Sequence, residues 1–255
     1  MTAQLPGTVD EALPTMGLLD HLEELRVRLL RSVLVLFGAF LLCWPLKEHI
    51  YAFLAAPIHE LLPEGTKLNF LGPTDPFTIY VKVSALAAVF AASPFILYQG
   101  WSFVAPGLYR RERRLAAPFI LCGSLLFVGG GAFAYYVAFP FAVAFLLGLG
   151  EQFQPTITVT HYLSFLMTVI LGLGLMFELP TVIFFLSRLG LVTPAFLLRH
   201  FRWAVLLIFT AAAVITPTPD VINLCLFAVP ALVLYLVGIG VAALFGPGDR
   251  GEKEP

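Results

Sequence analysis

Charge is what this chain has least of. Asp, Glu, Lys and Arg make up only 12% of its 255 residues, whereas 59% are hydrophobic; an average soluble domain carries roughly 25% charged residues. Cysteine is scarce as well. Cys43, Cys122 and Cys225 lie in separate apolar runs, without the close Cys or His spacing of a metal site or redox pair, and read as small core residues. The five histidines are scattered, and no metal or other cofactor is implied. Neither His-Glu-x-x-His nor Gly-x-Ser-x-Gly occurs, and no pair of Asp residues falls inside the apolar runs, which argues against a hydrolase. No motif for nucleotide or nucleic acid is present. The net charge of -1 identifies no partner, because in so apolar a chain the distribution of charge carries the information.

Long hydrophobic runs fill the rest. They predict an all-α, polytopic membrane protein with six spans, near Val27–Leu46, Phe77–Val104, Leu115–Val137, Tyr162–Leu186, Phe201–Ile215 and Val221–Leu244. The fifth is short: Arg199 and Arg202 crowd its start and Thr216-Pro217-Thr218-Pro219-Asp220 ends it, so local thinning of the bilayer is expected. The third run stays apolar to Gly150, and Pro140 predicts a kink into a second piece near the far surface. Between the first two spans, the apolar stretch Ile50–Leu62, set among Pro57, Pro63, Gly65, Gly72, Pro73 and Pro76, predicts a short amphipathic helix capping the outer mouth. Asp10, Glu11, Asp20, Glu23 and Glu24 precede the first span, the wrong flank for a cleavable signal.

Basic residues are distributed unevenly between the two sides. Arg26, Arg28, Arg31, Arg110, Arg111, Arg113, Arg114, Arg188, Arg199, Arg202, Arg250 and Lys253 fall on one; Lys47, Lys67 and Lys82 fall on the other. This asymmetry predicts that both termini are cytoplasmic.

Three places could carry chemistry. Glu178 is the only charged residue in residues 162–186, where an ionised carboxylate costs at least ~2.5 to 3.5 kcal/mol, so it is expected to face helices or a hydrated cavity rather than lipid. Pro180 beside it, and Pro94 in the second span, each remove one backbone hydrogen bond, predicting kinks that open a cavity wall. The second place is His21-Leu22-Glu23-Glu24-Leu25-Arg26, an amphipathic helix running into the first span. Glu24 can pair with Arg28 and Glu23 with Arg26, which by itself accounts for a solvated helix face. The third is Phe103-Val104-Ala105-Pro106-Gly107-Leu108-Tyr109-Arg110-Arg111-Glu112-Arg113-Arg114, where one carboxylate sits among four arginines. It reads either as a positive anchor damped by Glu112 or as a surface carboxylate able to accept a guanidinium fork. Serines within the spans are expected to bond local carbonyls, and Lys82 to snorkel outward.

Taken together these residues resemble the TatC family, the polytopic component of the twin-arginine translocase. The likeness is carried by His21–Arg26, by Ser93-Pro94 through Tyr98-Gln99-Gly100-Trp101-Ser102-Phe103, by Pro106–Tyr109 with Glu112-Arg113, by Phe177-Glu178-Leu179-Pro180, and by Thr216–Asp220. It implies a six-span receptor, both termini inside, with an outer cap and a concave, glove-like wall, forming one membrane domain over residues 16–246 with a cytoplasmic tail at 247–255. Residues 1–15 match nothing, and Met16 could be the true start. The resemblance implies that Glu24 and Glu112 bind the paired arginines of signal peptides on folded precursors, with Arg26 and Phe103 in the same patch. Glu178 matches the family's buried acid, with a role in contacting cargo or a partner span; Pro57, Pro94, Tyr98, Gln99, Pro180 and Asp220 match as structural positions. The implied partners are the single-span proteins TatA and TatB, membrane lipid and further copies of the chain, with the proton-motive force as energy source in the cytoplasmic membrane. A rival reading is a proton-coupled small-solute transporter titrating Glu178. It leaves the two carboxylate motifs at the basic side unexplained.

The charge asymmetry is tested by single cysteines at Glu64 and Gln154, placed on a background freed of the three native cysteines. Both should react with an impermeant thiol reagent from outside the cell, and Arg111→Cys should not; labelling of Arg111→Cys from outside would reverse the orientation.

Overall fold

The computed structural model describes residues 18–61, 68–104, 116–150, 152, 157–216 and 220–245. Among them the chain is helical, with one isolated parallel bridge between Asn69 and Thr158. In order it forms α1 (Leu18–Cys43), a 3₁₀ turn (Trp44–Leu46), α2 (Lys47–Leu61), α3 (Asp75–Val104), α4 (Ala116–Phe133), a π-helical turn (Ala134–Ala138), α5 (Phe139–Leu149), α6 (Val159–Phe177), α7 (Leu179–Arg188), α8 (Pro194–Arg199), α9 (Phe201–Ile215) and α10 (Val221–Phe245).

Among the described residues five segments are long and apolar enough to cross a membrane: His21–Ile58, Asp75–Phe103, Ile120–Leu149, Val159–Arg188 and Val221–Phe245. The 15-residue α9 is shorter; at about 1.5 Å per residue it reaches only about 22 Å, less than the ~30 Å hydrocarbon core. The first expected span begins earlier than its apolar run, because the amphipathic stretch and the span share one uninterrupted helix. The expected amphipathic cap is α2, which buries Leu54, Ala55 and Ile58. At Pro140 the chain does not leave the helix. The disturbance is taken up one turn earlier by the π-helical residues, so α4 and α5 follow each other without a loop.

Without water to drive helices together, association in a bilayer depends on close packing and on satisfying backbone groups. The core centres on α6, where Leu163, Leu166, Val169 and Leu173 have no exposed surface. Helix α4 packs on one side of α6; α7, the continuation of α6, packs on α10. Helix α1 lies at the edge against α3, and no residue from 21 to 43 is buried. Its Leu30, Val33, Leu34, Phe37, Leu41 and Leu42 are all exposed, as suits a lipid-facing helix.

The prolines leave carbonyls that other groups satisfy. Pro57 cannot bond the carbonyl of Phe53, and that oxygen instead accepts the hydroxyl of Tyr135 from the π-helical turn at 2.5 Å. The adjacent carbonyl of Leu54 accepts Tyr162 of α6 at 2.7 Å. In α3, Pro94 frees the carbonyl of Phe90, which accepts the Ser93 hydroxyl at 2.8 Å. Ser124 likewise bonds Ile120 at 2.7 Å and Ser32 bonds Arg28 at 3.0 Å, whereas the buried hydroxyl of Ser84 departs from expectation and bonds no carbonyl among the described residues. Lys82 differs from expectation: rather than only snorkelling, it donates across to Ser164 of α6 at 3.0 Å.

The contact between α4 and α6 is closest at Gly130, where a Cβ would lie 2.8 Å from the carbonyl oxygen of Leu173. Backbone cannot yield as a side chain can. Gly130→Ala is therefore expected to push the helices apart and cost about 1 to 3 kcal/mol, seen as a lower thermal unfolding midpoint in detergent. Gly129→Ala, with nothing within 4 Å, should leave the midpoint in place.

Candidate functional site

The end of the bundle carrying the start of α1 and the end of α3 brings four of the singled-out residues together. Helical spacing places His21, Glu24 and Arg28 on one face of α1, and α1 lies along α3. The ring of His21 stacks on Phe103 with centroids 4.3 Å apart. Arg28 donates to Oε1 of Glu24 through Nε at 3.0 Å and Nη2 at 2.5 Å, while its Nη1 points to Oε1 of Gln99 on α3 at 3.4 Å. The other carboxylate oxygen, Oε2 of Glu24, is buried and accepts no hydrogen bond among the described residues; His21 Nδ1 lies 3.9 Å away. The side chains of Arg28 and Glu24 are 20% and 19% exposed, so the pair is largely withdrawn from solvent at the floor of an open groove lined by Glu23, Glu24, Val27, Arg28 and Arg31.

Of the two helical pairings expected here, Glu24 with Arg28 forms. Glu23 and Arg26 are both exposed and no ion pair joins them. Arg26, two residues from Glu24, points away from that face. Glu112 and the whole arginine-rich loop around it lie outside the described residues. Tyr98 is exposed beside buried Gln99. His21 was assigned no role from sequence; nothing in the pattern signals a contact that depends on α3 lying alongside.

Glu178 occupies the break between α6 and α7. Its N–H bonds the carbonyl of Leu175 at 3.1 Å, a tightened last turn, and Pro180 sits in the first turn of α7. Proline tolerates that position because the first-turn N–H has no helical acceptor. The side chain turns inward, 8% exposed. A Cβ at Gly123 of α4 would lie 3.3 Å from its Oε2 and 3.5 Å from Thr181, with Leu97 of α3 at 3.4 Å, so the carboxyl rests over a glycine between three helices. Neither oxygen makes a hydrogen bond of normal geometry among the described residues, with the Thr181 hydroxyl the donor beside it. The carboxyl is thus enclosed by protein on α3, α4 and α7. Nearby, Pro118, Cys122 and Leu126 of α4, Pro180, Thr181 and Phe184 of α7, and Val241 and Phe245 of α10 line an apolar cavity of about 240 Å³.

Asp220 caps α10 through the N–H of Asn223 at 2.7 Å and its side-chain amide at 2.9 Å, and Pro57 shapes α2 as described. Both act on the fold here. Among the described residues no group of His, Cys, Asp or Glu could hold a metal.

The family model of the Sec-independent protein translocase protein TatC matches residues 20–230. The chain belongs to the TatC family. It is 46% identical over 246 residues to the Sec-independent protein translocase protein TatC of Koribacter versatilis, covering 95% of this chain and 91% of the relative. With the protein of the same name from Campylobacter jejuni it shares 41% over 237 residues, 92% of this chain and 96% of the relative. A crystallised twin-arginine translocase receptor TatC superposes with a TM-score of 0.77 at 36% identity, over 88% of this chain and 98% of that one; the same receptor in the detergent DDM gives 0.79 at 36% identity, over 87% and 99%. The chain is therefore a multi-pass membrane protein of the Sec-independent protein translocase.

A buried polar group with no partner costs more than an apolar group of like shape. Glu178→Met is thus expected to hold or raise the thermal midpoint in detergent, by an amount up to about 1 to 3 kcal/mol in stability. A marked fall would mean that the carboxyl is bonded within the folded protein.

Proposed function

We propose that this chain is the receptor subunit that reads the paired arginines of signal peptides on folded precursors. Glu24 and Glu112 each take one arginine. Phe103 flanks the patch, Arg26 meets the peptide from the adjacent face of α1, and TatA- and TatB-type single-span proteins assemble on the receptor for transport driven by the proton-motive force. Both termini face the cytoplasm in this arrangement, the chain performs no catalysis itself, and further copies join it in the receptor complex.

One observation carries the reading. The Glu24 carboxylate stands at a groove on the bundle end where the basic side of the chain begins, and it already engages a guanidinium with charge-assisted bonds. A carboxylate in that setting favours the planar fork of arginine over the compact ammonium of lysine. The apolar part of a signal peptide adds binding by leaving water, at roughly 0.8 kcal/mol per CH₂. A transporter built on Glu178 finds less support, since its carboxyl is closed in by Gly123, Leu97 and Thr181.

The test is binding of a twin-arginine signal peptide and its twin-lysine variant to the detergent-solubilised chain. Glu112→Gln should lose a charge-assisted contact worth roughly 1.5 to 3 kcal/mol, about a 10- to 150-fold loss of affinity, less where water screens it. Glu24→Gln should behave likewise. The preference for arginine should shrink in each variant and nearly vanish in the double variant, with membrane insertion unchanged. A preference that survives both substitutions would place arginine reading elsewhere.

A further inference from the structure

A receptor that reads arginine through Glu24 meets a difficulty, because an arginine of its own chain is already there. Arg28 places two donors on one oxygen, Nε at 3.0 Å and Nη2 at 2.5 Å from Oε1. The other oxygen is buried and accepts nothing among the described residues. An incoming guanidinium needs both oxygens for its parallel pair of bonds. It cannot obtain them while Arg28 stays, and with four-fifths of both side chains already withdrawn from solvent there is little room for a second guanidinium on the same carboxylate.

We propose that Arg28 is an internal stand-in for the cargo arginine: it occupies Glu24 in the resting receptor, and a signal peptide binds there by exchange, guanidinium for guanidinium. The inference rests on the reading of Glu24 as an arginine reader and adds to it a competitor from the same chain. Gln99 gives the displaced side chain somewhere to go. Its buried amide oxygen already lies 3.4 Å from Nη1 of Arg28, so the head group can pivot toward α3 without being released into lipid. The device also spares the receptor an unpaired, half-buried carboxylate when no cargo is present, a state that would cost stability.

Exchange has a defined thermodynamic signature. Only the fraction of receptor with Arg28 displaced can bind, so the apparent Kd of every ligand that uses Glu24 is raised by the same factor. A weak competitor for Arg28 thus falls below useful affinity while a strong one does not, although the ratio between them is unchanged.

The experiment measures Kd for the twin-arginine peptide and its twin-lysine variant against the full-length, detergent-solubilised chain carrying Arg28→Lys, Arg28→Gln or Glu24→Gln. Arg28→Lys keeps the positive charge but loses the fork; it should tighten both peptides about five-fold, the factor a partly buried ion pair is worth, with the arginine preference retained. Arg28→Gln should tighten them at least as far. Because relief of charge repulsion alone would leave Arg28→Lys at the wild-type value, unchanged or weaker binding in that variant overturns the proposal; if it does not fold, weaker or unchanged binding by Arg28→Gln does so. Failure of the underlying reading looks different: Glu24→Gln would then leave affinity and preference intact, and the exchange would fall with it. Loss of preference in Glu24→Gln without tightening in Arg28→Lys removes the exchange alone.

Discussion

A backbone carbonyl in a bilayer has no water to turn to, and this chain creates such carbonyls deliberately by placing prolines inside its helices. Each must be bonded by some other donor or the helix pays several kcal/mol. The donors chosen tie the bundle together. Tyr135 reaches the carbonyl freed by Pro57, and Tyr162 bonds its neighbour, so one proline in α2 ends up fastening the π-helical turn to the cap. Ser93 repairs α3 locally, in the residue just before Pro94. What could have been a weak point in α2 becomes the means by which an otherwise peripheral helix is held to the core of α6.

The same constraint shapes the position of Glu178. A carboxyl can turn inward there because α6 ends and α7 begins at that residue, with Pro180 in the first turn, and because Gly123 has no side chain to block it. At the other functional place the ordering is electrostatic. Helix α1 buries nothing from 21 to 43, and at its start what joins it to α3 in a specific register is a stacked ring pair and the chain Glu24–Arg28–Gln99.

Much of this was legible in the sequence. Spans follow from apolar length, the lone charge of residues 162–186 marks itself, and the Glu24–Arg28 pair follows from spacing of four. The short α9 could be foreseen from the residues crowding both its ends. Contacts between residues far apart could not: Tyr135 and Phe53 are separated by 82 positions and Tyr162 and Leu54 by 108, and no local pattern encodes which carbonyl a tyrosine will find. The stacking of His21 on Phe103 and the bond from Lys82 to Ser164 belong to the same class. Pro140 signalled that the third run falls into two pieces, but not that a π-helical turn at residues 134–138 would divide them.

The two ends of the bundle are consequently held by different kinds of contact. Where α2 sits, two tyrosine hydroxyls and the Asn69–Thr158 bridge, with bonds of 2.9 and 3.3 Å, clamp the loop, the cap and the start of α6 into one body. Where Glu24 sits, the side chains that join α1 to α3 are the stacked rings of His21 and Phe103 and a long contact from Arg28 to Gln99. The α2 end is thus closed by hydrogen bonds onto backbone, whereas the end where α1 meets α3 is closed through side chains, which a ligand can rearrange without unmaking a helix.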